Sequence, residues 1–110
     1  MISIILPAFN EEKSIRKTIS LTREILRKNN ISPFEIIIID DGSSDNTFKI
    51  ALNEKVKVIK NPHNLGYGIS LKKGINAAKY ETLIIMDADL TYPTEKIPDL
   101  IKKKMKDTIW

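Results

Sequence analysis

The amino-acid sequence predicts an α/β fold in which a mainly parallel sheet lies between helices on both faces, built from about four βα units. Short apolar runs alternate along the chain with segments whose apolar residues recur every three or four positions. The run at residues 34–39 is so continuously apolar that both of its faces are expected to be covered, which is typical of parallel sheets. Repeated units of this length favour parallel strands joined by right-handed crossovers.

The first unit opens the chain. Residues 2–6 are expected to form the first strand, and Pro7 is expected to stop its pairing because proline has no N–H to donate. The helix that follows should end near Asn29 and Asn30. Its apolar face, at helical spacing, is made by Ile15, Ile19, Thr22 and Leu26.

The second unit begins with the apolar run at residues 34–39 and continues into a helix. Ser44 or Asp45 is expected to be the N-cap of that helix, since serine and aspartate are preferred at this position. The residues expected on its buried side are Phe48, Ala51 and Leu52.

The third and fourth units follow the same pattern. Residues 56–59 and 82–86 are the predicted strands, and a last helix is expected to open near residues 93–95. The third helix has an apolar face made by Leu71, Ile75 and Ala78. The corresponding face of the last helix is made by Ile97, Leu100, Ile101 and Met105.

A parallel sheet brings the carboxyl ends of its strands to one edge, where open α/β sheets bind ligands. The loops that should meet there hold most of the asparagine, aspartate, glycine and proline found outside helices. They are residues 7–12, 40–44, 61–68 and 87–93.

The composition sets limits on the class of protein. A chain of 110 residues is long enough for one domain, or for part of one. Cysteine is absent, which excludes disulfides, thiolate metal ligands and cysteine nucleophiles. The longest apolar runs, residues 36–39 and 83–86, are far shorter than the ~20 residues that span a bilayer. The N-terminus has no basic residue ahead of its apolar run, unlike a secretory signal, so a cytoplasmic location is expected.

The net charge of +4 is concentrated in lysines at residues 55–60, 72–73 and 102–106. Such patches can meet phosphates, nucleic acid or anionic lipid. Aromatic residues that would stack on bases are not interleaved with these lysines, and lysines more often coat solvated helix faces. Nucleic acid is therefore not expected as a partner.

Asp87 and Asp89 follow the apolar run at residues 83–86, and alternation along an extended backbone points both to the same side. Two neighbouring carboxylates repel unless a cation or proton intervenes, and oxygen ligands suit Mg²⁺ or Mn²⁺. The alternative is a pair of turn or cap carboxylates. The three other polar loops at the same edge favour a metal site that shares its ion with a diphosphate.

Asp40 and Asp41 end the second predicted strand in the same manner. Gly42 after them is suited to a positive φ, and the hydroxyls that follow can cap the next helix. Capping explains the residues after the glycine but not two adjacent aspartates where burial begins. These carboxylates are candidates to accept N–H or O–H donors from a base or a ribose.

The loop after the first strand carries Phe9, Glu11 and Glu12. The aromatic ring can stack on a base or pack in the core, and acidic residues in the first turn of a helix suit its dipole or a capping box. Both interpretations stay open from the sequence.

The segment from Asn64 to Gly68 contains two glycines, which allow the backbone to approach a ligand. A dinucleotide fingerprint is not favoured, since Leu71 occupies the third glycine position and the segment follows the third strand. The phosphate-binding pattern GxxxxGK[ST] is absent from the sequence. His63, the single histidine, is more typical of a turn than of a catalytic site.

Taken together, these four loops resemble the family 2 glycosyltransferases, whose catalytic domain has the Rossmann-like GT-A fold with three α/β/α layers. The resemblance runs from residue 1 to about residue 106, with each motif after a strand and in the family's order. The stretch at residues 87–95 is most similar to the polyprenyl-phosphate branch, which includes the dolichyl-phosphate mannose synthases.

The resemblance implies a role for each matching residue. Either aspartate after the second strand would receive donors from the base, and the glycines would close over it. Asp87 and Asp89 would bind Mg²⁺ or Mn²⁺. The residues that would contact the nucleotide are Pro7, Phe9, Glu11, Asp40, Asp41, Gly66, Gly68, Asp87 and Ala88.

The implied donor is a nucleotide-diphospho-sugar, linked to GDP or UDP. The sugar would pass with inversion to an acceptor, a polyprenyl phosphate at the cytosolic face of a membrane. Thr94 and Ser70 depart from the branch, which often has proline and alanine there.

The family has a further half-domain that carries the acceptor pocket and, in many members, the catalytic base. Residues 1–110 are therefore expected to be the nucleotide-sugar-binding half of a catalytic domain. The exposed sheet edge of such a half suggests a homo-oligomer.

Two alternatives remain. One is a non-catalytic nucleotide-sugar-binding or interaction module derived from such an enzyme. The other is a sugar-phosphate nucleotidyltransferase, which would be expected to carry a glycine-rich, basic loop after the first strand; residues 7–12 do not have that composition.

Overall fold

The computed structural model describes residues 1–90 and 96–99. Within these residues the sheet has four strands in the order β3-β2-β1-β4, and every neighbouring pair is parallel. The predicted alternation of strands and helices is confirmed. The elements are β1 (Ile2–Ala8), α1 (Ile15–Lys28), β2 (Phe34–Asp40), α2 (Thr47–Asn53), β3 (Lys57–Lys60), α3 (Tyr67–Ala77) and β4 (Leu83–Ile85).

Both faces of the sheet are covered, so the molecule has the expected three layers. On one face, Ile4 of β1 and Ile38 of β2 pack with Ile19 of α1 in a cluster that also includes α2. On the other face, Ile5 and Ile39 pack under α3. Since successive strand residues alternate between faces, the unbroken isoleucine run of β2 supplies both clusters, as the sequence predicted.

The buried faces of α2 and α3 differ from the prediction. Leu52 is 50% exposed and Ile75 is 44% exposed, although both were expected to be buried. The short α2 buries Ala51, as predicted, together with Thr47 one turn earlier. Leu52 follows Ala51 by one residue, about 100° around the helix, and therefore faces solvent.

Helix α3 packs on the sheet through small residues, Ser70 and Gly74. A Cβ added to Gly74 would lie 2.6 Å from Cγ2 of Ile5 and 2.7 Å from Cδ1 of Ile39. Only a glycine at this position allows the helix to lie so close to the sheet. The larger Ile75 occupies the outer side of the helix.

The N-cap of α2 is Asn46, so the prediction of Ser44 or Asp45 was wrong. Asp45 nevertheless satisfies a free N–H of the first turn, because its Oδ1 accepts the Thr47 N–H at 2.9 Å. The carboxylate does the work of a cap from one residue further out.

Pro7 does not stop pairing, contrary to expectation: it lies in β1 opposite Ile39 of β2. The Ser3 N–H donates to Thr82 on the β4 side, whereas the Ala8 carbonyl accepts from β2. Successive residues of β1 direct their N–H groups alternately to the two neighbouring strands, so the missing Pro7 N–H would face β4. The last β1 residue paired with β4 is Ile5, two residues before Pro7. The pairing with β4 therefore ends where proline offers no donor, while the pairing with β2 continues through Pro7.

The described residues near the C-terminus include Ile97, which is buried in the same cluster as α1. The remaining parts of the predicted last helix, at residues 93–95 and at Leu100, Ile101 and Met105, lie outside the described residues. Among the helices of residues 1–90 and 96–99, none has the length and apolar character needed to cross a membrane.

The loops after β2 and β3 touch each other through backbone atoms at Gly42. This glycine has a φ of +72°, and a Cβ added to it would lie 2.3 Å from the carbonyl carbon of His63 and 2.5 Å from the Asn64 nitrogen. No other residue type allows this approach without moving the His63 backbone. The contact fixes how the two loops are placed relative to each other.

We expect Gly42→Ala to lower the free energy of unfolding by more than ~3 kcal/mol, because it adds a backbone collision to the strain of a positive φ. Gly66→Ala is the matched control: its φ is +100° but nothing lies within 4 Å of the new methyl. It should cost only the strain of a backbone conformation that is essentially limited to glycine, about 1–3 kcal/mol. Urea unfolding monitored by circular dichroism measures both. Equal losses for the two variants would show that the two loops are not packed as described.

Candidate functional site

A cleft of about 260 Å³ opens at the carboxyl edge of the sheet. The loops after all four strands contribute to its wall, so the convergence predicted from the sequence is confirmed. Its volume is close to the lower end of the ~300–1,000 Å³ usual for small-molecule sites. The lining residues are Pro7, Ala8, Phe9, Asp41, Asn64, Gly66, Tyr67, Ser70 and Asp87.

Half of the residues singled out in the sequence line this cleft. They are Pro7, Phe9, Asp41, Gly66 and Asp87. The other half do not line it. They are Glu11, Asp40, Gly68, Ala88 and Asp89.

The Asp41 carboxylate is the polar centre of the cleft. Its Oδ1 accepts the Asn61 side-chain amide at 2.9 Å and the Leu65 N–H at 2.8 Å, and its Oδ2 accepts the Gly66 N–H at 3.1 Å. One side chain at the end of β2 thus holds the loop after β3 and the start of α3. The N–H groups that it binds would otherwise be unpaired near the helix terminus.

Burial by itself raises the pKa of Asp41, but hydrogen bonds from Leu65, Asn61, Gly66 and Ser70 outweigh it and lower the pKa below its ordinary 3.8. The group is therefore ionised at neutral pH. Because the folded-state pKa is the lower one, the hydrogen-bonded carboxylate stabilises the fold above about pH 3.8. That contribution is lost as the pH falls through the lowered pKa.

The loops after β1 and β2 are joined by reciprocal hydrogen bonds. The Asn10 N–H donates to Ser43 Oγ at 2.8 Å, and Asn10 Oδ1 accepts the Ser44 N–H at 2.8 Å. The Glu12 N–H donates to Asp45 Oδ2 at 3.2 Å. Asn10 has a φ of +53°, which asparagine tolerates better than most residues. These bonds place Phe9 at the mouth of the cleft, where its ring is exposed.

Glu11 lies in the turn before α1 rather than in the cleft wall. Its N–H donates to Thr47 Oγ1 at 2.8 Å, and its Oε2 accepts the Ser14 hydroxyl at 3.1 Å. In the described structure Glu11 therefore connects α1 to α2.

Asp40 is buried with 0% exposure. Among the residues that the structure describes, neither of its carboxylate oxygens has a hydrogen-bond partner. It lies opposite Ala8 in the β1–β2 register, on the side of the sheet that faces α1 and α2. Burying a carboxylate without a partner is costly, so Asp40 does not stabilise the fold by its charge.

After β4 the backbone turns at Ala88 and Asp89 instead of staying extended; Asp87 and Asp89 are exposed and Ala88 between them is buried. The Ala88 carbonyl accepts the Ser14 hydroxyl at 2.7 Å and the Thr18 hydroxyl at 3.3 Å. The first turn of α1 thus fixes the backbone between the two aspartates.

The donor set fits a divalent ion that is shared with a ligand. In residues 1–90 and 96–99, no group of three or more acidic or histidine side chains is placed to hold a metal by itself. Mg²⁺ is commonly bound by one or two carboxylates together with phosphates and water. Asp87 and Asp89 can supply the carboxylates, and Asp87 also lines the cleft.

The sequence did not single out Tyr67 or Asn64, which also line the cleft. Tyr67 begins α3 between the two glycines, and its ring is 55% exposed. An exposed aromatic side chain next to a glycine in a ligand loop was the available signal. Gly68 is exposed in the first turn of α3, and His63 contributes backbone but does not line the cleft.

Residues 3–108 match the family described as glycosyl transferase family 2. The dolichol-phosphate mannosyltransferase of Pyrococcus furiosus is 34% identical over 105 residues, which cover 92% of this chain and 29% of that protein. The undecaprenyl-phosphate 4-deoxy-4-formamido-L-arabinose transferase of Proteus mirabilis is 34% identical over 107 residues, which cover 91% of this chain and 32% of that protein. The chain therefore spans about a third of the length of these curated relatives.

A solved structure shares the fold: glucosyl-3-phosphoglycerate synthase from Mycobacterium tuberculosis, in complex with Mn²⁺, UDP and glucosyl-3-phosphoglycerate. It is 25% identical with a TM-score of 0.76, over 96% of this chain and 39% of that chain. The expected Rossmann-like GT-A fold is confirmed, as is the resemblance to enzymes that act on polyprenyl phosphates. With its fold, the order of its motifs and nearly its whole length in agreement, the chain belongs to glycosyl transferase family 2.

Proposed function

We propose that residues 1–110 form the nucleotide-sugar-binding half of a glycosyltransferase catalytic domain. The cleft would hold a nucleoside-diphosphate sugar, with its base at Asp41 and its diphosphate at Asp87 and Asp89. The observation that carries the proposal is the meeting of an aromatic ring, a buried acceptor carboxylate and a strand-end aspartate in one cleft. The mycobacterial synthase of the same fold, which binds UDP and Mn²⁺, supports it.

The base end of the cleft favours a base that presents hydrogen-bond donors. An ionised carboxylate only accepts hydrogen bonds, and a carboxylate oxygen has room for two of them. Asp41 Oδ2 receives the Gly66 N–H and lies in the cleft wall, so a ring N–H of a base is a suitable second donor. The exposed ring of Phe9 offers a surface for base stacking.

Asp87 and Asp89 would hold Mg²⁺ or Mn²⁺ against the diphosphate. The bound ion would stabilise the negative charge that develops on the leaving nucleoside diphosphate. The Ser14 and Thr18 hydroxyls keep the backbone between the carboxylates in place. The chain itself thus orients two ligands and leaves the other coordination positions to phosphate and water.

A polyprenyl phosphate is the proposed acceptor, received with inversion at the anomeric carbon. The relatives from Pyrococcus furiosus and Proteus mirabilis are a dolichol-phosphate and an undecaprenyl-phosphate transferase, which supports this class of acceptor. Because the hydrocarbon of such a lipid stays in the bilayer, the domain would work at a membrane surface. The sheet edges at β3 and β4, unpaired among the described strands, are the proposed contacts of a homo-oligomer.

Isothermal titration should show that UDP or GDP binds only with Mn²⁺ or Mg²⁺ present. Asp89→Ala should weaken this binding at least ~tenfold, since one of two charged metal ligands is lost. Asp99→Ala, which removes an exposed carboxylate away from the cleft, is the matched control and should bind as the wild type does. Binding that resists both a chelator and Asp89→Ala would rule out this metal site. An assay of sugar transfer to a polyprenyl phosphate distinguishes the two alternatives, because an enzyme forms the glycosylated lipid and a non-catalytic binding module does not.

UDP and GDP should bind at least ~tenfold more tightly than CDP and ADP, the difference expected from one hydrogen bond to a charged group. The ring nitrogen at the pairing edge carries a proton in uracil and guanine and is an acceptor in cytosine and adenine. Because the pKa of Asp41 is lowered, the preference should be constant from pH 8 to about pH 5. Equal affinities for the four nucleotides would contradict the role of Asp41.

Asp40→Asn should raise the thermal unfolding midpoint, because it removes a buried carboxylate without a partner. If the role of Asp40 is to bind the nucleotide, the same variant should also bind the nucleotide more weakly. Asp45→Asn is the contrasting variant. Its carboxylate accepts N–H groups from Thr47 and Glu12, so the same change should lower the midpoint. Differential scanning calorimetry measures the change in unfolding midpoint for both variants. A stabilised Asp40→Asn protein with unchanged affinity would remove Asp40 from the site.

A further inference from the structure

Asn61 is a fully buried polar residue next to the proposed site. It follows β3 directly, has 0% exposure and does not line the cleft. Its amide nitrogen donates to Asp41 Oδ1 at 2.9 Å and to Ser70 Oγ at 3.1 Å. Both of these partners line the cleft, on its β2 and α3 sides. Asn61 therefore connects two walls of the cleft from behind.

The other end of the same amide is held by a lysine. Lys73 Nζ donates to Asn61 Oδ1 at 2.7 Å. Lys73 lies three residues after Ser70 on α3, so the two side chains share a helix face. A chain of contacts thus leads from the half-buried ammonium through the buried amide to the Asp41 carboxylate.

We propose that Asn61 and Lys73 are positioning residues for the nucleotide cleft: Lys73 fixes the orientation of the Asn61 amide, and Asn61 fixes the Asp41 carboxylate that receives the base. The proposal rests on the proposed function above. Neither residue touches the nucleotide. Each acts through Asp41 and through the backbone N–H groups that Asp41 holds.

Lys73 and Asp41 select the orientation of the Asn61 amide from its two ends. An asparagine side chain fits the same space in two flipped orientations, and its partners select between them. Lys73 has only donors, so it requires the oxygen on its side and turns the nitrogen towards Asp41 and Ser70. In the flipped orientation the amide oxygen would face the carboxylate and both donated hydrogen bonds would be lost. The ammonium also polarises the amide, which strengthens its N–H as a donor.

The charged groups around Asp41 come from three elements. Asp40 precedes it on β2, Asp87 lies across the same cleft after β4, and Lys73 reaches it through Asn61 from α3. Lys73 acts on Asp41 through the Asn61 amide, which is one of the hydrogen-bond donors that lower the pKa of Asp41. Removing Lys73 should therefore make Asp41 easier to protonate.

Lys73→Met is the test variant, because a half-buried lysine near the surface can be replaced without unfolding the chain. Lys72→Met is its matched control: the residue next to it on α3 is exposed and has no contact with Asn61. Lys73→Arg keeps a charged donor, so its Asp41 titration midpoint and its affinity for UDP should lie between those of the wild type and of Lys73→Met. Two measurements apply to each variant: NMR titration of the Asp41 carboxyl carbon without nucleotide, and the affinity for UDP with Mn²⁺ by calorimetry.

We expect Lys73→Met to move the Asp41 titration midpoint upward and to weaken UDP binding ~tenfold, as for the loss of one hydrogen bond to a charged group. Lys72→Met should change neither. Asn61→Leu should change the Asp41 midpoint and the UDP affinity more than Lys73→Met does. If the Asn61→Leu protein does not fold, the comparison of the two lysine variants tests the proposal by itself. A midpoint and affinity that are equal in Lys73→Met and Lys72→Met would overturn the proposal.

Failure of the proposed function gives a different result. If the wild type binds neither UDP nor GDP with any divalent ion, the nucleotide site is wrong and the cleft role of the pair falls with it. In that case the carboxyl titration, which needs no ligand, still shows whether Lys73 acts on Asp41. The proposal is supported when the wild type binds UDP with Mn²⁺ and Lys73→Met both raises the Asp41 titration midpoint and weakens that binding.

Discussion

The arrangement of the cleft depends on one buried carboxylate. Asp41 directly follows the second strand and accepts N–H groups from Asn61, Leu65 and Gly66, which belong to the loop after the third strand and to the start of α3. Without these bonds the N–H groups would be buried or left to water, and the carboxylate would be a buried charge without partners. A single side chain thus joins the sheet edge, a loop and a helix terminus, and it does so at the bottom of the space where a ligand would bind.

Close packing gives this hydrogen-bonded unit its fixed position. Gly42 brings the backbone of one loop against His63 of the next, and Gly74 lets α3 lie on Ile5. On the other side of the cleft, Asn10 joins the first two loops by two reciprocal hydrogen bonds. Steric contact and hydrogen bonding therefore act on the same loops. A residue that is small or tolerates a positive φ stands at each place where the backbone must approach another segment.

The sequence was sufficient for those features that follow from local pattern. The apolar runs predicted the strands to within two residues, and the order of the polar loops predicted the cleft edge and five of its lining residues. Local pattern failed where a distant partner decides. Ile75 is exposed because the sheet accepts only small side chains from α3, and Pro7 pairs with β2 because its missing N–H faces β4 instead. Asn61 could not be recognised, since its partners lie nine to twenty residues away in the chain.

The two ends of the cleft are built differently, and the difference has a physical reason. At Asp41 the carboxylate charge is compensated by the protein, so that end is ordered before any ligand arrives. At Asp87 and Asp89 the carboxylates are exposed, and neighbouring like charges disfavour each other until a cation intervenes. The Ala88 carbonyl fixes the backbone between them by accepting the Ser14 and Thr18 hydroxyls. A cleft of this kind would select its ligand at Asp41, where it is preorganised. It would bind the diphosphate of the ligand at the two exposed aspartates only together with a metal ion. The affinity for the nucleotide would therefore depend on the divalent cation.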